Sequence, residues 1–151
     1  MPSNEYLQAI GQVVWYFALL EWNVAYLIVK LNGDDWSKAK LEETSATIAK
    51  SFERSIENAV STLSPEFLVR FRSVAKLYRS DIGERNGLLH VHPYTAASGA
   101  QQLGGTDRLA TMREWTLERL QSTASQIANH QRQANALLHE YVQQSAARAG
   151  P

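Results

Sequence analysis

Arg85-Asn86-Gly87-Leu88-Leu89-His90 sets a guanidinium, a carboxamide and an imidazole inside six residues of a 151-residue chain. Side chains of these types grip anions and move protons near neutral pH. Two charges also stand out by position. Glu21 falls among Val14, Phe17, Val24 and Ile28 on one apolar arc, and Arg85 falls on the arc of Phe71, Val74, Tyr78 and Ile82. A buried ion costs several kcal/mol unless it is paired and hydrogen-bonded. Glu21 is therefore expected to face Arg85 or Arg79, with Asp81, four residues before Arg85, as a second partner for the guanidinium. The plainer reading of the same pattern is an internal salt bridge that fixes helix register. Asn86 and His90 share a helix face if the helix survives Gly87, whereas Arg85 lies on a different face from His90.

Other residues compete for a chemical role. His90-Val91-His92 has the form of a His-x-His metal pair, but the chain has no cysteine and only Asp81 and Glu84 lie nearby, so no metal or cofactor is expected. A histidine near a helix end also serves simply as a charge against the dipole, and His92 suits that task as well as His90. His130 and His139 on the last helix read as solvated or partly packed. Arg70, Arg72, Lys76 and Arg79 put positive charge along the helix that leads to the motif, where it would track phosphates. Tyr94, just after the motif, is a candidate base-stacking residue. The scattered Trp15, Trp22, Trp36 and Trp115 read instead as core and helix-end packing. Nothing matches a P-loop, a dinucleotide-binding glycine pattern or a serine-hydrolase elbow.

Four helical segments must position these groups. The first is expected from about residue 5 to 31, with Ile10, Val14, Phe17, Val24, Ile28 and Leu31 as its stripe, closed by Asn32-Gly33. Asp34 or Asp35 would cap a second, carrying Leu41, Ile48, Phe52, Ile56, Ala59 and Leu63 and bent near Thr44-Ser45-Ala46-Thr47. Ser64-Pro65-Glu66 opens the third, whose stripe is Phe67, Phe71, Val74, Tyr78, Ile82 and Leu89, and Pro93 stops it. Residues 93–114 break the helical pattern and predict an irregular or hairpin insert, with Gly104-Gly105 as its turn. A fourth helix starts near Thr116, with Trp115 stapled onto Leu120. The fold class expected is all-α, a four-helix up-and-down bundle in one domain spanning 1–151.

Composition narrows the partners. Fifteen Lys and Arg balance fifteen Asp and Glu, so a broad basic field for nucleic acid is absent and any RNA contact must be local. The lack of cysteine removes disulfides and thiolate chemistry, which fits a cytoplasmic protein. The run from Ile10 to Leu31 raises the membrane question, but Gln12, Glu21 and Asn23 interrupt it, so a buried core helix is expected, with no membrane partner and no signal peptide.

The motif Arg85-Asn86-three residues-His90, with Asn directly after Arg and placed late in the third helix before an extra connection, resembles the R-x4-6-H signature of the HEPN superfamily. The resemblance implies a metal-independent endoribonuclease, commonly dimeric, with the two motifs meeting across the interface. It implies that His90 acts as general base or acid on the RNA 2′-hydroxyl and leaving oxygen, and that Arg85 stabilises charge on the phosphate. Asn86 would orient a phosphate oxygen or the histidine, and Glu21, Arg79, Asp81, His92 and Tyr94 would support or bind substrate. The expected products are a 2′,3′-cyclic phosphate and a 5′-hydroxyl. The setting it implies is a toxin with an antitoxin protein, or a defence or stress effector. The alternatives are a catalytically silent dimer that binds RNA, a nucleotide or a protein partner, and a purely structural helical dimer locked by Glu21 and Arg85.

Overall fold

The computed structural model describes residues 1–39, 41–106 and 112–149 of the chain. Each helix begins where a short polar side chain meets a free backbone amide. Ser3 accepts from the Tyr6 amide to start α1 (Asn4–Leu31), and Thr44 accepts from Thr47 to start α2 (Ser45–Asn58). Ser64 accepts from Phe67, with Pro65 in the first turn, to start α3 (Pro65–Leu89). Thr116 accepts from the Arg119 amide to start α4 (Leu117–Ala149). Between α3 and α4 lie β1 (His92–Thr95), β2 (Gln101–Thr106) and β3 (Met112–Trp115), paired antiparallel in that order. The chain is thus mostly helical with a small three-stranded sheet added.

The sheet corrects the expected turn. Gly104 and Gly105 sit inside β2, paired with His92 and Glu114 and with Arg113. The reversal between β1 and β2 is made at Gly99, at φ 81°, where its amide donates to the Ala96 carbonyl. Gly104 is needed for another reason. A Cβ there would lie 2.7 Å from Cε1 of Tyr94, whose ring lies across the strand. The part of the expected insert from 107 to 111 lies outside the described residues.

The helices do not alternate in direction. Glu5 pairs with Gln121, and Gln12 and Tyr16 lie beside Ala124, Ser125 and Ala128, so α1 and α4 run parallel. Arg70 reaches Glu140, whereas Glu84 reaches Arg119, so α3 runs against α4. Arg72 pairs with Glu57, and Arg85 with Ser45, so α2 also runs against α3. Three helices therefore point one way and α3 the other, in place of the up-and-down order. The physical reason is the link at 32–44. Among its described residues it carries one 3-10 turn, Trp36–Lys38, capped by Asp35, and Trp36 packs on Trp22 and Tyr26, which brings the chain back beside α1 before α2 begins. The expected bend at Thr44-Ser45-Ala46-Thr47 is in fact the helix start.

The core is built by Val13, Phe17, Leu20, Val24 and Leu27 of α1, with Phe52, Phe71, Tyr78, Leu120 and Ile127. The stripe read for α1 was rotated. Val14 is 44% exposed and Val13 is buried, because α1 is apolar on nearly every side and its spacing does not single out one face. At the end of α3, Leu88 is buried and Leu89 exposed, the reverse of the expectation. Trp115 alone of the four tryptophans is fully buried; Trp22 and Trp36 pack against each other and Tyr26 toward the end of α1 while staying partly exposed, and Trp15 is exposed rather than core. By length and hydropathy α1 would suffice to cross a membrane, yet here it supplies core residues.

Candidate functional site

Helix α3 continues through Gly87 to Leu89, and the His90 amide donates to the Asn86 carbonyl at 3.1 Å. Trp115 holds this turn in place. Its Nε1 donates to the Gly87 carbonyl at 3.2 Å, and its ring would stand 3.5 Å from a Cβ on residue 87. Tyr6 completes the clamp, donating to the Trp115 carbonyl at 2.5 Å and accepting from the Leu103 amide at 2.8 Å. Desolvation raises the Tyr6 hydroxyl pKa above its ordinary value, which keeps that donor protonated.

Asn86 and His90 therefore ride one side of an intact helical turn, with Asn86 half-buried and His90 exposed. Arg85 turns the other way. Its Nη2 donates to the Ser45 hydroxyl, its guanidinium carbon stands 4.6 Å from the centre of the Phe17 ring, and its Nε is buried with no hydrogen-bond acceptor among the described residues. Five positions along a helix correspond to about 140° of rotation. One chain thus leaves Arg85 and His90 on separate faces.

The carboxylate expected opposite Arg85 has another partner. Tyr78 donates to Glu21 Oε2 at 2.6 Å and approaches the Ser45 carbonyl at 3.5 Å. Burial first, and the Glu21 carboxylate second, push the Tyr78 hydroxyl pKa far above its usual range. Glu21, Tyr78, Ser45 and Arg85 thus form one polar cluster at the meeting of α1, α2 and α3, and no direct Glu21–Arg85 or Glu21–Arg79 ion pair stands among the described residues. Arg79 instead makes a two-pronged bond with Glu53, at 2.7 and 2.6 Å. Arg70 and Arg72 are likewise paired, with Glu140 and Glu57. The positive line expected along α3 is in large part neutralised by its neighbours.

Asp81 is also placed differently from the expectation. It is fully buried on the α4 side, where His130 Nδ1 lies 2.7 Å from its Oδ2 and Gln126 donates to Oδ1 at 3.3 Å. Burial raises its carboxyl above the ordinary range, against the pull of His130 and Gln126. Sequence reading missed this pair because a histidine on α4 and an aspartate on α3 are 49 residues apart. The one available signal was Asp81 itself, an acid three positions after Tyr78 on the buried arc.

His92 is exposed at the start of β1. Tyr94 donates to Glu114 across the sheet at 2.6 Å, and that carboxylate raises the Tyr94 hydroxyl to about 12. Its ring is occupied against Gly104. Among the described residues no group of three or more His, Asp or Glu is placed to hold a metal. A cavity of about 330 Å³ lies elsewhere, between α1, the 32–44 link and α2, lined by Ile28, Val29, Asp34, Arg54, Ser55 and Asn58 among others. No family model, curated protein or solved structure matches the chain.

Proposed function

We propose that the chain is a HEPN-type, metal-independent endoribonuclease, a four-helix bundle with a sheet insert that acts as a homodimer on RNA. The observation that carries this reading is the state of Arg85. Arg70, Arg72, Arg79 and Arg119 are each engaged by a carboxylate, whereas the half-buried Arg85 has no ion pair among the described residues. Its charge is left for a phosphate, at the same end of α3 as the exposed His90 imidazole, which has no hydrogen-bond partner among the described residues.

In this reading His90 takes the 2′-hydroxyl proton or returns one to the leaving 5′-oxygen, Arg85 stabilises the charge that builds on the phosphorus-bound oxygens, and Asn86 orients an oxygen or the ring. The products are a 2′,3′-cyclic phosphate and a 5′-hydroxyl. Because Arg85 and His90 lie on separate faces of α3, a second copy supplies the missing partner. A cytoplasmic toxin held by an antitoxin protein, or a stress or defence effector, is the setting that goes with this activity.

The test is cleavage of RNA by purified protein in EDTA, with Arg85→Ala and His90→Ala beside the parent chain. Cleavage lost in both variants, with helicity kept, supports the proposal. RNA that stays intact across a broad pH range sinks it. A second reading, a silent dimer that binds RNA, a nucleotide or a protein, draws on the seat of Arg85 over Phe17 and Ser45. It predicts retention of RNA or nucleotide without cleavage, and loss of stability in Arg85→Ala.

A further inference from the structure

The last turns of α1 and the facing side of α2 do not close on each other. Ala25, Ile28 and Val29 of α1 line one wall of a gap, and Ile48, Ser51 and Ser55 of α2 line the other, each set at helical spacing. The 32–44 link spans the gap without filling it, because its Trp36 packs on Trp22 and Tyr26, on the neighbouring face of α1. What remains is the cavity of about 330 Å³, the liquid volume of about eleven waters. Its floor is apolar, with Ala25, Val29 and Ile48 all buried. Its rim is charged, and Lys38, Arg54 and Asp34 on that rim make no ion pair among the described residues. Ser55 stands between the two. It is 5% exposed, and its hydroxyl makes no hydrogen bond among the described residues yet is not sealed from solvent, so it opens on the cavity. Buried hydroxyls nearly always find a partner, so this one marks a place for a ligand or for the water that a ligand displaces.

We propose that this cavity binds a free α-amino acid with an apolar side chain. The lining matches such a molecule group for group. Its carboxylate takes the fork of Arg54, with Lys38 as a second cation and the Ser55 hydroxyl as a further donor. Its ammonium takes Asp34, and its side chain lies on Ala25, Val29 and Ile48. The volume stands at the low end of the roughly 300–1,000 Å³ typical of small-molecule sites, which suits a ligand of about a dozen non-hydrogen atoms.

Other small ligands fit less well. A nucleotide would find no aromatic ring among the described lining residues on which to stack its base, and its phosphates would meet Asp34 and Glu43. A plain carboxylic acid would leave Asp34 without an opposite charge, and a plain amine would leave Arg54 and Lys38 so. None of the lining residues belongs to the group of Arg85, Asn86 and His90, and the inference stands apart from the ribonuclease reading.

Calorimetric titration of the full chain with L-phenylalanine and with L-leucine tests it. Each is run beside the amine that lacks its carboxylate and the acid that lacks its ammonium. One equivalent of either amino acid binds per chain, and both analogues of the one that binds are at least tenfold weaker. Arg54→Gln, a change at an exposed side chain, weakens binding at least tenfold with unchanged helicity by circular dichroism. Ser55→Ala, which removes only the hydroxyl, weakens it as well, and the methyl resonances of Ile28 and Ile48 shift on binding. Failure of both amino acids to bind at millimolar concentration overturns the inference, as does an analogue that binds as tightly as its parent. So does binding that Arg54→Gln and Ser55→Ala leave unchanged, or that leaves the Ile28 and Ile48 methyls unmoved.

Discussion

Tyr78 gives its hydroxyl hydrogen to Glu21 across 2.6 Å, and this bond joins α3 to α1 at the height where α2 begins. Phenylalanine at 78 would keep the ring's stack on Phe17, at 5.9 Å between centres, and remove the donor alone. Tyr78→Phe is expected to cost about 1–2 kcal/mol, the price of a half-buried carboxylate left without its donor. Urea unfolding at neutral pH measures it. The folded-state pKa of Tyr78 is raised, so its contribution is whole below the ordinary tyrosine range and falls away as pH rises through the higher folded value. Above pH 10, the stability gap between the parent chain and Tyr78→Phe should therefore shrink. A gap that stays constant would mean the hydroxyl is not held as described.

Asp81 and His130 make the second prediction. Asp81→Ala strips a buried partner from His130 and Gln126 and should destabilise the chain by about 3 kcal/mol. Burial raises the Asp81 carboxyl, so its contribution is complete below the ordinary aspartate value and declines as pH climbs through the folded one. Thermal melts of the parent chain and Asp81→Asn from pH 3 upward should diverge, with the parent losing ground to the variant. Parallel curves would contradict the burial.

Tyr94 offers a titration that reads the sheet directly. Its hydroxyl ionises near 12 because the Glu114 carboxylate accepts its proton bond. Glu114→Gln should bring that ionisation down toward the ordinary value, visible in the phenolate absorbance. If the Tyr94 transition does not move, the cross-sheet bond is not made in solution.

Gly104 sets the fourth. Alanine there would bring its methyl within 2.7 Å of the Tyr94 ring, and overpacking of this kind costs about 1–3 kcal/mol. Gly104→Ala should lower the melting temperature, and adding Tyr94→Ser should recover most of the loss. No recovery would place the strain elsewhere than the Tyr94 ring.

Helix existence was legible wherever a cap and a stop lay close to a periodic run, as at Ser64-Pro65 and at Asn32-Gly33. Direction was not. The length of the 32–44 link was visible, but its path back along α1 depends on packing that no local spacing encodes. The insert was recognised from the loss of helical pattern at Pro93, yet its turn was misplaced. A Gly-Gly pair announces freedom of the backbone and not whether that freedom serves a turn or a ring crossing the strand. Within the site, Arg85, Asn86 and His90 were found as a string of types. Their faces followed from helical geometry once Gly87 proved helical. The Asp81–His130 contact and the Tyr78–Glu21 bond join residues far apart in sequence and could be named only from the fold.

The parallel pairing of α1 with α4 has a consequence for synthesis. Helix α1 leaves the ribosome before α4 and packs along it, across the 109 residues that separate Tyr6 from Trp115. Until α4 emerges, α1 is without its long companion and its core-facing side meets water. The nascent chain therefore cannot settle piece by piece. It depends on closure of α1 onto α4, a slow step for a helical fold, with an apolar helix face uncovered meanwhile.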